Sequence, residues 1–457
     1  MTGAGRDVGT SPELLDVATR VAGWARDGEQ VEAFVGRSTD TRVVAYGGEV
    51  ESLSSATAEG VGIRVLSGGR QGFAYAGTLD PAVVEETLAE ARDNAAFGTP
   101  DEHAGLAVPD GVAAATLELW RDDLASFPPQ AKVDLALELE RRVRGGDPRI
   151  RSVESSSYGD GASEAAVVTS TGISASWRRT GCYVSAYALA GDGDETQTGG
   201  GYSVGRSPAD LDVDKAAADA VERSTRLLGA RKPASARLPV VLDNRVATIL
   251  VSILAGTLSG EAVLKGRSLF ADRLGQEVAS PLLTLVEDPT NPDAYGAAAY
   301  DGEGLATRRN VLVDAGVLRG FVYDTHAGRR AGVASTGSAV RGGFKSPPGV
   351  GCRALSLAPG TESQAEILAR VGSGLLVQAV SGVHSGVNAV SGDISVGAEG
   401  VLFRDGVLAE PVREITIAST LQRMLRDVVA VGDDLEWLPG SAAGVTLAIA
   451  DMSMSGT

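Results

Sequence analysis

The chain contains three histidines, His103, His326 and His384, and two cysteines, Cys182 and Cys352. These few residues bound the chemistry it can do unaided. A zinc hydrolase of the HExxH type needs two imidazoles on one helical face and a carboxylate base between them. No two histidines here are close in sequence, and neither cysteine belongs to a CxxC pair. A metal centre would have to be assembled by the fold from distant residues. His103 follows Pro100, Asp101 and Glu102 in an acidic linker and reads as a solvated loop residue. His326, after Asp324 and Thr325, reads as a residue that orients a helix start. His384, set between Gly382 and Gly386, is the best placed of the three for function.

Nucleophilic catalysis has no better footing. There is no G-x-S-x-G elbow, and a Ser-His-Asp set would have to recruit one of those histidines. Both cysteines follow a glycine in β-type sequence, where a small buried hydrophobe is the simpler reading. Asp433, Asp434 and Glu436 form an acidic cluster before Trp437, readable as a cation site or, more simply, as a solvated turn. The Gly-rich stretches 199–205 and 342–351 carry neither the P-loop GK[ST] nor a Rossmann GxGxxG context. These residues equip the chain to bind better than to cut.

Periodicity predicts the elements that position them. Ser11 as cap, Pro12 in the first turn and Leu14, Leu15, Ala18, Val21 and Ala22 on one face predict a helix over 12–27. Short strands are expected at 31–35, 42–46, 60–66 and 71–76, then a helix opened by Asp80 and Pro81. Residues 98–111 read as a linker. A helix over 129–144, strands at 150–158, 165–170, 173–178 and 183–189, and a helix over 207–228 repeat that order. The recurrence points to a structural duplication, although the residues show no clear repeat. From Val240 onward the sequence is mostly β, with hairpins around Asp314-Ala315-Gly316 and Arg404-Asp405-Gly406 and a strand over 410–419. Helices are expected over 246–258, after Thr361 (capping-box spacing with Gln364) and over 421–426. The broad apolar face of the 246–258 helix suits burial against its own sheet or a subunit interface. The expected class is α+β: an N-terminal mixed helix and antiparallel-strand region, then a β-rich C-terminal domain. The expected domains are 1–110, 111–235 and 236–457.

Composition narrows the partners. At 457 residues the chain is long enough for two or three domains. Its 41 basic residues against 59 acidic ones give a formal charge of −18, which disfavours nucleic acid and anionic membranes as partners. Two cysteines cannot make a disulfide framework for a chain of this size. The first residues, Met1 to Asp7, have no apolar stretch behind them, and the apolar run between Arg245 and Glu261 is shorter than the ~18 residues a spanning helix needs. A soluble, cytoplasmic protein is expected.

Several motifs carry a family resemblance. Ser335-Thr336-Gly337-Ser338-Ala339-Val340-Arg341, Gly386-Val387-Asn388-Ala389-Val390-Ser391-Gly392-Asp393, and Pro411-Val412-Arg413-Glu414-Ile415-Thr416-Ile417-Ala418 with Val431-Gly432-Asp433-Asp434-Leu435-Glu436 resemble markers of the TldD/PmbA family. Gly60-Val61-Gly62-Ile63-Arg64-Val65 resembles its early strands. TldD-type chains of that family carry an HExxxH zinc motif on the helix after the first C-terminal strand, and TldE (PmbA) chains lack it and pair with TldD in a heterodimeric peptidase. Here that helix, after Val240-Val241-Leu242, contains no His and no Glu. The chain therefore resembles the TldE type.

The resemblance implies no zinc in this chain, a TldD-type HExxxH partner that supplies zinc and the Glu base, and a small or unfolded peptide as substrate. It also implies a role in peptide maturation, the family being associated with processing of ribosomally made peptides and with modulation of DNA gyrase. A peptide can bind by adding a strand to a sheet edge. Ser338, Arg341, His384, Asn388 and Asp393 are the candidates for lining its cleft, each also readable as a turn residue. Two alternatives stay open: a stand-alone peptide-binding or regulatory protein without catalytic activity, and a self-sufficient hydrolase using His384 or a serine.

Overall fold

The computed structural model describes residues 12–191, 193 and 195–457. The capping role expected of Ser11 and the residues from Met1 to Asp7 lie outside this range. The first element, α1 (Pro12–Ala22), buries Leu14, Val17, Ala18 and Val21 and stops at Ala22, short of the expected end. Then follow β1 (Glu29–Tyr46), β2 (Glu49–Ser67), β3 (Arg70–Ala76) and α2 (Pro81–Phe97), whose first N–H groups meet the Asp80 carboxylate. After the short α3 (Asp122–Ala125) the order recurs as α4 (Pro129–Gly146), β4 (Ile150–Thr169), β5 (Ser174–Ala190), β6 (Gln197–Gly205) and α5 (Val213–Thr225). The expected helix over 207–228 divides into a 3-10 turn at Pro208–Asp210 and α5, because Asp212 caps a new start.

These strands form one antiparallel sheet in the order β3-β2-β1-β4-β5-β6. The two recurrences meet along the β1–β4 ladder, from Glu32 opposite Thr169 to Ala45 opposite Ser156. Strands from the first two expected regions thus share one sheet. The runs expected at 31–35 and 42–46 are two parts of the single strand β1, and 150–158 with 165–170 are two parts of β4, which ends at Thr169. Alternation sorts the faces. Val31, Ala33 and Val35 of β1 join α1 and α2 in one core, while Phe34 points the other way, to Val167, Leu305 and Phe344. The stretch 199–205, read as Gly-rich and not placed as a strand, is most of β6. A Cβ on Gly201 would lie 1.8 Å from the Ala216 carbonyl oxygen, so glycine there lets α5 lie directly on the sheet.

The C-terminal part starts with β7 (Ala236–Leu242) and α6 (Asn244–Thr257), capped by Asp243. Next come α7 (Gly260–Leu264), β8 (Leu285–Glu287), the hairpin β9 (Asn310–Asp314) and β10 (Val317–Leu318), α8 (Thr325–Ala331), β11 (Ala339–Val340), β12 (Gly349–Val350), β13 (Leu355–Leu357) and α9 (Gln364–Val371). The capping box of α9 is Ser363 with Glu366, since Ser363 directly precedes the first helical residue; Thr361 and Gln364 do not form it. The chain closes with β14 (Gly374–Ser381), the single turn α10 (Val383–Gly386), β15 (Asp393–Arg404), β16 (Val407–Thr420), α11 (Leu421–Arg426), β17 (Val428–Val431), β18 (Ala442–Ala443) and β19 (Leu447–Ser455).

The strands run β16-β15-β14-β7-β19-β17, and β16 also pairs with β19, at Thr416 with Ser455, which closes a barrel. Val240 and Leu242 join the core that contains Val396, Ile417, Leu447 and, from α6, Val246, Leu250 and Leu254. Val241 faces the opposite way, to Ile367 and Leu368 of α9 and to Phe403. Burial within its own domain thus accounts for the apolar face of α6. Among the described residues no helix is long and apolar enough to cross a membrane.

Candidate functional site

The five residues expected to line a cleft fall into two groups. Asn388 and Asp393 belong to an open cleft of ≈ 860 Å³ on the barrel rim, walled also by Ser385, Val387, Ser395 and Ser419. The turn between α10 and β15 shapes it. Asn388 Oδ1 accepts from the N–H groups of Val390 (3.0 Å) and Ser391 (3.1 Å), and Asp393 Oδ2 accepts from Ser391 Oγ at 2.7 Å. Both side chains therefore form the turn and present their remaining surface to solvent. His384, on the adjoining α10, is exposed. The rim offers hydroxyls, an amide, a carboxylate and an imidazole, a set fitted to bind backbone groups of an extended chain.

Ser338 and Arg341 lie elsewhere, where the C-terminal domain meets the large sheet. Ser338 is buried and accepts from Thr336 Oγ1 at 2.9 Å. The Arg341 guanidinium, fully buried over the Phe34 ring, pairs with Glu32 of β1, which also pairs with Arg64 of β2 at 2.6 Å. Arg64 lies 3.6 Å from Glu303. Burial pushes the Glu32 carboxyl up, but the charges of Arg341 and Arg64 outweigh it and hold it below its ordinary value. Burial drives the neighbouring carboxyls Asp301 and Glu303 the other way, upward. This network clamps two regions together, and the segment 335–341 is built into it. The Gly60/Gly62 motif has the same cause: a Cβ on Gly62 would lie 2.2 Å from the Phe344 carbonyl oxygen.

The other residues with chemical potential are committed to structure. His326 Nε2 lies 2.7 Å from Asp101, tying α8 to the segment 98–111, and that bond holds the Asp101 carboxyl below its usual range. The segment is thus anchored, with Leu106 and Ala107 buried. His103 is half-buried beside Glu102, 3.7 Å away. Burial raises the Cys182 thiol to about 12 and the Cys352 thiol well above its ordinary value, so neither offers a thiolate at neutral pH. Asp434 binds Thr446 and Glu436 pairs with Lys215, so the acidic cluster is a structural turn. Helix α6 presents no imidazole or carboxylate anywhere along Asn244–Thr257. Among the described residues no group of three or more His, Cys, Asp or Glu side chains has metal-binding geometry. Among the described residues these donors, each committed to a structural partner or set apart from the others, do not make up a set that fits zinc.

Two features escaped sequence reasoning. The outer edge of β2 pairs with β3 only from Val61 on, so residues 49–58 have a strand neighbour on one side alone. All ten are exposed, among them Val50 at 41% and Leu53 at 50%. Open edges of this kind are templates for another chain. The second feature is a group of half-buried arginines, Arg121, Arg179, Arg206 and Arg353, that the fold brings together from four separate segments. No local pattern marks it, since the members lie far apart in sequence.

Comparison with known proteins places this geometry. The chain matches the PmbA/TldA metallopeptidase domain 1 over residues 31–95, the central domain over 122–228 and the C-terminal domain over 235–456. It is 29% identical over 447 residues to the metalloprotease PmbA of Escherichia coli, spanning 97% of this chain and 96% of that protein. Against a metalloprotease TldD homolog of Haemophilus influenzae the identity is 25%, over 90% of this chain and 87% of the other. A crystal structure of a putative modulator of DNA gyrase from Bacteroides thetaiotaomicron superposes with a TM-score of 0.87 at 27% identity, covering 98% of this chain and 100% of that one. The TldE structure from Thermococcus kodakarensis shares the fold, with a TM-score of 0.87 at 21% identity over 97% and 99% of the two chains.

Proposed function

The chain belongs to the PmbA/TldD metallopeptidase family, and we propose that within it this protein is the zinc-free, TldE-type subunit of a heterodimeric peptidase. One observation carries the reading. Helix α6 follows β7 at the place where TldD-type chains bear HExxxH, yet it holds only Asn, Arg, Thr, Ser, Gly and apolar residues. Without that motif's imidazoles to hold zinc and its glutamate to act as base, α6 cannot supply the family's hydrolytic centre, which this reading assigns to the partner. This chain supplies binding surface.

The division of labour follows from the two open surfaces. The rim cleft around Asn388 and Asp393, with His384 on the adjoining α10, takes part of an extended, unfolded peptide through backbone hydrogen bonds. The unpaired β2 edge, with Val50 and Leu53 outward, receives the partner. The relatives' name, metalloprotease, supports peptide processing as the biological setting. Affinity capture of the tagged chain from its native lysate tests the reading. A near-stoichiometric HExxxH chain, with chelator-sensitive peptidase activity in the complex alone, is expected. Recovery of the chain by itself, inactive, would overturn it and leave a stand-alone peptide-binding protein.

A further inference from the structure

Where the central sheet meets the C-terminal domain, the fold gathers basic side chains without pairing them. Arg206, just past β6, donates from Nη2 to the Ala294 carbonyl at 2.8 Å and from Nη1 to the Thr180 carbonyl at 3.5 Å. Arg179 of β5 donates to the next carbonyl, that of Tyr295, at 3.3 Å. Arg121 is held beside them by its N–H to Thr180 Oγ1 at 3.0 Å. Arg353 is near enough to feel the Arg179 charge, along with those of Asp301 and Glu287, and its buried Nε has no hydrogen-bond partner among the described residues. A cleft of ≈ 260 Å³ opens on this group, lined by Arg121, Arg206 and Tyr295. Two carboxylates share its wall. Asp210 is spent on the N–H groups of Arg206 and Ser207, both at 2.9 Å, and Asp293 is exposed at the mouth. Neither makes an ion pair with the four arginines among the described residues.

Gathering like charges in a half-buried place costs free energy, and the charges of Asp210 near Arg206 and of Asp301 and Glu287 near Arg353 offset it only in part. Burial, with the charges of Arg179 and Arg121, pushes Arg206 down to about 10, and burial with Arg179 likewise lowers Arg353. Among the described residues the guanidinium hydrogen bonds of Arg121, Arg179 and Arg206 all go to neutral carbonyls. Guanidinium forks match the paired oxygens of a carboxylate or phosphate, and the cleft is sized for a group of that kind with little attached. The Tyr295 hydroxyl, whose pKa burial raises, stays a donor at neutral pH.

The geometry points to a small-oxyanion site in this cleft, held by Arg121, Arg206 and Tyr295, with Arg179 adding positive charge next to them. It stands independently of the partner reading. The oxyanion is a free phosphate-like ion or the terminal carboxylate of a peptide, and the two sources are separable. Isothermal titration of inorganic phosphate into the full chain, in chloride buffer at pH 7, is expected to give saturable one-to-one binding. Arg206→Gln should weaken it at least tenfold. Arg121→Gln should do the same without touching distant backbone, because among the described residues the Arg121 guanidinium bonds the nearby Glu118 and Trp120 carbonyls alone. Arg141→Gln, on the exposed face of α4, should leave binding unchanged. A short peptide that competes with phosphate when its C-terminus is free, and not when amidated, assigns the site to a peptide terminus; phosphate binding without such competition assigns it to the free ion. Absence of saturable binding by either probe, or equal affinity in wild type, R121Q and R206Q, would overturn the inference.

Discussion

Glu287 lies wholly buried in β8, its carboxylate accepting from the N–H groups of Arg353 at 2.8 Å and Ala354. Burial outweighs those bonds and lifts its pKa from 4.5 to about 7. The folded state therefore holds this proton more tightly than the unfolded chain does. Its contribution to stability is complete below pH 4.5 and is lost as the pH rises through about 7. Glu287→Gln should abolish that slope in thermal melts across pH 5–8, gaining up to about 3 kcal/mol at pH 8 and little at pH 5. Glu32 has the opposite sign. Its pKa is lowered by Arg341 and Arg64 against the pull of burial, so its contribution is present above pH 4.5 and fades as the pH falls through the lowered value. Glu32→Gln strands two buried guanidinium groups and should cost about 3–5 kcal/mol in denaturant unfolding at pH 7, a difference that narrows in acid.

Strands β1 and β2 meet the C-terminal domain through missing side chains as much as present ones. A methyl on Gly62 would collide with the Phe344 backbone at 2.2 Å. Gly62→Ala should therefore cost about 2 kcal/mol, while Gly145→Ala at the open end of α4 should be close to neutral in the same unfolding assay. The elements readable in advance were those with local chemistry: Asp80 capping α2, the 421–426 turn of α11, and the Asp314-Ala315-Gly316 reversal between β9 and β10. The long strands were read as fragments because their polar middles, such as 37–41 in β1, break the apolar alternation while keeping the ladder intact. Strand β6 was missed because its glycines serve a helix packed above it. Of the expected site residues, Asn388 and Asp393 emerged together because one short turn makes them neighbours. The partner of Arg341 was illegible, since Glu32 lies 309 residues away.

Taken whole, the molecule is a large sheet clamped to a closed barrel, with an exposed, unpaired stretch of the β2 edge and a polar rim facing outward. Docking through the β2 edge makes a separable prediction. The double variant Val50→Asp/Leu53→Asp replaces exposed side chains, so it should fold with a melting temperature close to wild type and yet lose the partner in co-purification. The central claim is that catalysis depends on zinc held by another chain. Its most direct measurement is hydrolysis of unfolded peptides by this chain, by an HExxxH partner and by their complex, each with and without chelator. Hydrolysis by the complex, abolished by chelator and restored by zinc, is expected, with none by this chain alone. Peptide cleavage by the pure chain that survives chelator would contradict it.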